Sequence, residues 1–177
     1  MKKLCAVVFG VCVMSGAFSG TYTWTGAAGD GLWTTAGNWE PAVKGGPASA
    51  DIIFPVGDWT IRMDGDPYYY SFTLEEGSGT VTFVGTGTFK AATTVSIIIP
   101  EGRELCFDGP SIALPKEVPM AGGVLRIKSG LVSRQGEEGW IGGDGKVIVE
   151  GGRLSSSESL SITNNMELVI LRWYGLV

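Results

Sequence analysis

The chain has no histidine among its 177 residues, and 13 lysines and arginines stand against 18 aspartates and glutamates. Without His the commonest general base is gone, as are the Ser-His and Cys-His nucleophile pairs and nearly all zinc and copper sites. The shortage of cations, with no basic cluster, excludes a nucleic-acid binder, because neutralising phosphates takes grouped Lys and Arg. Helix-forming stretches are lacking too. The 28 glycines and 8 prolines recur too often for an apolar pattern of helical period to persist beyond two turns. What the chain does have is apolar substance. At 44% hydrophobic and 10% aromatic it is unlike a disordered tail, and it is long enough for one domain with a real core.

Residues 1–19 have the pattern of a removable secretory signal. Lys2 and Lys3 give a positive start, Leu4 to Met14 an apolar run, and Ser15, Gly16, Ala17 and Ser19 the small residues a signal peptidase needs. The run is too short for a stable bilayer span, and no later stretch reaches about 18 consecutive apolar residues, so no membrane insertion is expected after processing. Cys12 follows Gly10 and Val11, unlike a lipid-anchored leader. Cleavage after Ser19 leaves 177 − 19 = 158 residues with a net charge of 11 − 18 = −7. Cys5 and Cys12 depart with the leader. Cys106 remains alone, unable to form an intrachain disulfide, and its neighbours Leu105 and Phe107 point to a small buried hydrophobe. The expected location is secreted, periplasmic or on a bacterial cell surface.

After the leader the chain reads as short β-rich runs between glycines: 52–54, 60–63, 72–74, 81–84, 95–99, 105–107, 124–128, 146–150, 160–163 and 168–171. Alternation of period two in Val81/Phe83, Val147/Val149 and Leu160/Ile162 is that of half-buried strands, so the fold class is all-β. Runs beginning at Val81, Leu105, Val124 and Val147 are separated by 24, 19 and 23 residues. Such a period predicts a stacked coil whose turns cover one another's apolar faces: a short parallel β-helix of about five coils, at roughly 20–25 residues per coil. A β-sandwich is the alternative. It would favour tight Asn-Gly or Asp-Gly hairpins, and only Asp64-Gly65, Asp108-Gly109 and Asp144-Gly145 qualify, the second followed by Pro110.

Residues 20–66 differ from 67–177. They hold four of the six tryptophans, Trp24, Trp33, Trp39 and Trp59. A strand stack must close its first turn, and large rings do so with few residues, so 20–66 are expected to be a Trp-rich N-terminal cap with the first strands. The block formed by Trp24, Gly26, Gly31, Trp33, Asn38 and Trp39, followed by Asp51, Ile53, Phe54 and Pro55, resembles the passenger regions of autotransporter-like bacterial surface proteins. The segments 71–77 and 145–154 extend the likeness over most of the processed chain. That resemblance implies a glycine-rich, right-handed, single-stranded parallel β-helix acting as stalk, adhesin or surface layer. It transfers no catalytic residues. Passengers of this kind are usually longer and end in a membrane barrel, anchor or sorting tail, whereas residues 168–177 are apolar and contain none of these. The expectation is a truncated product, or a building block whose exposed C-terminal edge is closed by a partner such as another copy.

Candidate chemistry is sparse. Asp64 and Asp66 flank Gly65 and could offer calcium its oxygen ligands, and Asp144 lies in a Gly-Gly-Asp-Gly segment that resembles one copy of a calcium-binding repeat. Solvated turns account for the same residues. Arg126 and Lys128 share one strand face and could bind an acidic polysaccharide or serve a lyase. Glu75-Glu76 and Glu137-Glu138 are adjacent, hence on opposite strand faces, and make no glycosidase dyad by themselves. Tyr68 and Tyr70 with Trp59 could form a sugar-stacking platform. The expectation is therefore a surface module without catalysis and without a required cofactor, whose partners are surface glycans or further copies. A carbohydrate-active protein is the alternative.

Overall fold

A computed structural model describes residues 20–91, 97–115, 117–134, 139–156, 160–163 and 165–171. The leader, Glu137, Glu138 and the last six residues lie outside this set. Among the described residues strand follows strand, interrupted by one 3-10 turn at Ala36–Asn38. The chain begins with β1 (Thr21–Trp24), the two-residue β2 (Trp39–Glu40), β3 (Ala50–Phe54) and β4 (Trp59–Met63). It continues through β5 (Tyr68–Leu74), β6 (Gly79–Gly85), β7 (Thr88–Ala91), β8 (Ile97–Pro100) and β9 (Arg103–Asp108). Then come β10 (Ser111–Leu114), β11 (Glu117–Ser129), β12 (Leu131–Arg134), β13 (Gly139–Val149), β14 (Arg153–Ser156), β15 (Leu160–Thr163) and β16 (Met166–Ile170).

The pairings are parallel except where β2 turns back on β1. They sort into three faces wound in sequence. Face one stacks β1, β3, the end of β5, β8 and the starts of β11 and β13, then β15. Face two stacks β4, β6, β9, the ends of β11 and β13, and β16. Face three begins at Tyr68 and Tyr69 and stacks β7, β10, β12 and β14. The fold is a short parallel β-helix, as the glycine-punctuated period predicted. The solenoid makes about four turns, close to the five coils expected from the sequence spacing. The sandwich alternative falls with the parallel register.

Register carries the same side-chain type from turn to turn. On face two the inner column runs Val81, Leu105, Leu125 and Val147, and its neighbour runs Ile61, Phe83, Phe107, Ile127 and Val149, all buried. The start of the core is aromatic. Phe54 meets Phe72 at 4.8 Å, Tyr69 stacks on Phe89 at 4.5 Å, and Phe83 stacks on Phe107 at 5.5 Å. Above them Trp24, Trp33 and Trp39 are buried, with Trp39 edge-on to the other two at 4.9 and 4.7 Å. Trp33 reaches down to Phe89 at 5.2 Å and Trp39 donates its indole N–H to the Trp33 carbonyl. Each ring buries some 150–250 Å², so three of them cover the open end of the stack.

Successive turns sit one strand spacing apart, about 4.8 Å, and the corners must approach as closely as the strands do. Glycines line two corners. Gly57, Gly79, Gly102, Gly123 and Gly145 lie between faces one and two, and Gly65, Gly85, Gly109, Gly130 and Gly152 between faces two and three. Gly79 shows why. Its φ is +127°, and a Cβ there would lie 2.2 Å from the Gly57 carbonyl oxygen of the turn before. Neither the backbone angle nor the contact admits a side chain. Gly79→Ala should cost on the order of 2–3 kcal/mol in urea unfolding, by strain at a special backbone position. Gly29→Ala, also at positive φ but with nothing within 4 Å, should cost no more than about 1–2 kcal/mol, the strain of the left-handed angle alone. Equal losses would show that corner contact does not limit the stack.

Candidate functional site

The aspartates singled out from the sequence stand at the corners, where the chain leaves one face for the next. Each accepts a hydrogen bond across turns. Asp66 Oδ1 takes the Thr88 N–H at 2.6 Å, 22 residues on, and Asp58 Oδ1 takes the Thr80 N–H at 2.8 Å, also 22 residues on. Asp144 accepts from Asn165 Nδ2 at 3.2 Å and Asp108 from Ser129 Oγ at 2.7 Å, both 21 residues away. Asp64 binds both the backbone N–H and the hydroxyl of Thr34, tying the cap to the first turn. Asp64 and Asp66 thus turn to different partners, and Asp144 is several turns distant. Among the described residues no three His, Cys, Asp or Glu side chains converge on a possible metal position.

The cap has a polar centre of its own, which the sequence reading used only as part of a motif. Asn38 is fully buried and donates through Nδ2 to Asp30 Oδ1 at 2.7 Å and to the Leu32 carbonyl at 2.9 Å. Its Oδ1 accepts the Ala28 N–H at 3.0 Å. Asp30 also takes the Leu32 N–H and the Thr35 hydroxyl, and these donors, the Leu32 N–H foremost, hold its carboxyl below the usual carboxylate range. Asn38 between two tryptophan-bearing segments is therefore a brace for the loop that carries Trp33 and Trp39.

Arg126 lies on the outer side of face two between carboxylates from the turns on either side. Its Nε donates to Glu104 Oε1 at 2.7 Å and Nη2 to Glu104 Oε2 at 3.1 Å, a bidentate pair. Nη1 donates to Glu150 on the other side. These bonds, with Glu104 first, raise the guanidinium pKa further above its ordinary value despite partial burial. Glu104 and Glu150 are 22 and 24 residues from Arg126 in sequence. A one-turn offset is the signal that finds them. Lys128, on the same strand, is exposed. Another cross-turn pair, Lys146 with Glu167 at 2.7 Å, is largely solvated.

Arg126 also helps to cover Cys106, its register neighbour on β9. Cys106 belongs to the outer row of β9 yet is fully buried, and burial pushes its thiol up to about 11, with charges from Lys128, Glu104, Arg126 and Asp108 as smaller and opposing influences. Arg103 is the inner counterpart. Only 1% exposed, it fills the inner corner between faces one and two and donates to the Glu75 carbonyl at 3.1 Å and the Pro55 carbonyl at 3.0 Å, joining three turns. Burial lowers its pKa, opposed by the Glu75 and Asp58 carboxylates.

The aromatic candidates separate. Tyr68 and Tyr70 are 40% and 43% exposed, with rings edge-to-face at 6.1 Å. Tyr69 between them points inward. Trp59 sits on face two, half-buried, donating its indole N–H to the Pro55 carbonyl at 3.0 Å and lying close to Gly26 of the cap. It buttresses the cap, and no contact joins it to the two tyrosines among the described residues. Near Glu76, Glu101 and Ala121 the corner between faces one and two forms an open depression of about 460 Å³. It presents carboxylates and no cation.

The class this defines is a short β-helix whose polar side chains bridge turns. Compared with known proteins, the chain matches no family model, no curated protein and no solved structure. Among the described residues no helix is long and apolar enough to cross a membrane.

Two outcomes follow from these contacts. Arg126→Ala leaves Glu104 and Glu150 facing each other and should destabilise by about 1–2 kcal/mol, more at low salt, whereas Glu167→Gln should stay within about 0.5 kcal/mol in thermal or urea unfolding. For Cys106 the folded thiol keeps its proton to about 11 while the unfolded thiol loses it near 9.0. Below that window both states are protonated; within it the unfolded state binds fewer protons, so stability falls as pH rises from about 9 to 11. Peptide-level mass spectrometry should find Cys106 alkylated slowly at pH 8 and much faster as pH approaches 11.

Proposed function

We propose that the chain is an exported structural or adhesin-like surface module, in which the solenoid is a scaffold and carries no catalytic centre. The observation that carries this reading is the engagement of its polar groups. Asp58, Asp64, Asp66, Asp108, Asp144 and Arg126 each bond to another part of the stack. The likeness of the cap motif to autotransporter-like passengers and the secretory pattern of residues 1–19 support the same role.

The far end of the stack adds a way to assemble. Leu168 and Ile170 continue the inner columns of Val147 and Val149 and are 44% and 43% exposed, with Leu171 at 62%. Such an apolar strand edge is suited to stacking against another copy. The second reading, a glycan-binding protein, draws on the exposed pair Tyr68 and Tyr70.

Expressed with residues 1–19 in a bacterial host, the protein should be recovered outside the cytoplasm with its N-terminus cut at or near Ser19, as read by intact mass. An uncut cytoplasmic chain would reject the export reading. In sedimentation, association should grow with concentration and weaken in Leu168→Lys/Ile170→Lys; a monomer at all concentrations would reject assembly through this edge.

A further inference from the structure

The three faces differ in charge. Face one carries Asp51, Glu117 and Asp144 in its strands and no cation. Face two carries both signs, paired across turns in Glu104–Arg126–Glu150 and Lys146–Glu167, with Arg62 and Lys128 exposed outside those pairs. The strands of face three, β7, β10, β12 and β14, contain Lys90, Arg134 and Arg153 and no Asp or Glu. At the corner that leads into this face, Asp66, Asp108 and Glu150 are held by the Thr88 N–H, the Ser129 hydroxyl and Arg126. In a chain with 18 acidic and 13 basic residues, a face of one positive sign stands out from its surroundings.

The same face bears the exposed tyrosines. Tyr68 lies beside Lys90 in the parallel register and both are exposed. The row continues through the small residues Ala113 and Ser133, and the adjacent row ends at exposed Arg153. From β7 to β14 is three strand spacings, about 14 Å. The result is a strip along the solenoid axis: an aromatic pair at one end, cations toward both ends, and between them small residues and the exposed Leu131.

We propose that face three binds an extended acidic polysaccharide. Tyr68 and Tyr70 offer rigid apolar ring surface to the C–H faces of sugar rings and hydroxyls to their oxygens. Lys90 and Arg153 meet carboxylate or sulfate groups further along the chain. Two cations on strands about 14 Å apart suit charges spaced by sugar rings, whereas a phosphate backbone calls for a denser row of Lys and Arg. The inference rests on the surface-module reading and gives its glycan partner a place, on face three and away from Arg126 and Lys128.

Affinity electrophoresis of the purified chain in gels containing polygalacturonate, alginate or neutral dextran tests it. Retardation by the acidic polymers and none by dextran is expected, fading as salt is raised. The double variant Lys90→Gln/Arg153→Gln, which keeps the aliphatic stems, should bind about tenfold more weakly. Tyr68→Ala/Tyr70→Ala should also bind several-fold more weakly, while Lys146→Gln on face two should bind as the parent does. Far-UV circular dichroism identifies any variant that has lost the fold, and Lys90→Ala/Arg153→Ala then serves as the second test. No retardation of the parent, equal retardation by dextran, stronger binding to a single-stranded oligonucleotide, or binding indifferent to the face-three variants would each overturn the proposal. A chain exported and processed yet not retarded rejects this inference alone, whereas one left uncut in the cytosol rejects the reading beneath it.

Discussion

Everything in this molecule depends on how closely one turn can approach the next. Parallel strands hold successive turns about 4.8 Å apart, and that distance must be kept at the corners, where no ladder of strand hydrogen bonds enforces it. Side chains that would wedge the corners open are replaced by glycine, so that a carbonyl such as that of Gly57 can lie where the Cβ of Gly79 would be. The backbone groups freed by turning are then taken up by the neighbouring turn, as when the Gly57 N–H donates to the Ser78 carbonyl and the Gly79 N–H to the Gly102 carbonyl. Asp58 and Asp66 finish the work from the side, each accepting from a residue one turn on. A buried backbone amide left without a partner costs free energy comparable to a lost hydrogen bond, which is why polar residues cluster at corners and apolar ones between them.

The core changes along the axis. It starts with three tryptophans and passes through Phe54, Phe72, Tyr69, Phe89, Phe83 and Phe107 to Leu125, Ile127, Val147 and Val149. Aromatic rings at the start close an end that would otherwise expose both apolar surface and strand edge, and β2 turning back on β1 blunts that edge further. Among the described residues, Leu168 and Ile170 continue the core columns in the last strand and are 44% and 43% exposed.

Cross-turn bonding also shapes what the surface has to offer. On face two Arg126 and Lys146 pair with carboxylates across turns, and on face one the carboxylates lie without cations in the strands. On face three Lys90 lies beside exposed Tyr68. The polysaccharide proposed for that face would gain affinity from repeated small contacts more than from one deep pocket.

Much of this was legible residue by residue. Spacings of 24, 19 and 23 residues between β-rich runs, alternation at Val81/Phe83 and Val147/Val149, and tryptophans crowded before residue 60 are local properties, and they determined the β class, the coil period and an aromatic first turn. The strands of face three went unread, since Thr88–Ala91, Ser111–Leu114, Leu131–Arg134 and Arg153–Ser156 are four residues each and lack a sustained apolar rhythm. They are strands because parallel neighbours complete their hydrogen bonds, on both sides for β7, β10 and β12 and on one side for β14. Partnership across turns was hidden for a related reason. Glu104, Arg126 and Glu150 are remote in sequence and adjacent in space only once the register is set, and a shift of one residue would have turned each of them inward. Local chemistry thus determined that the chain winds, while the register between turns decided which side chains meet.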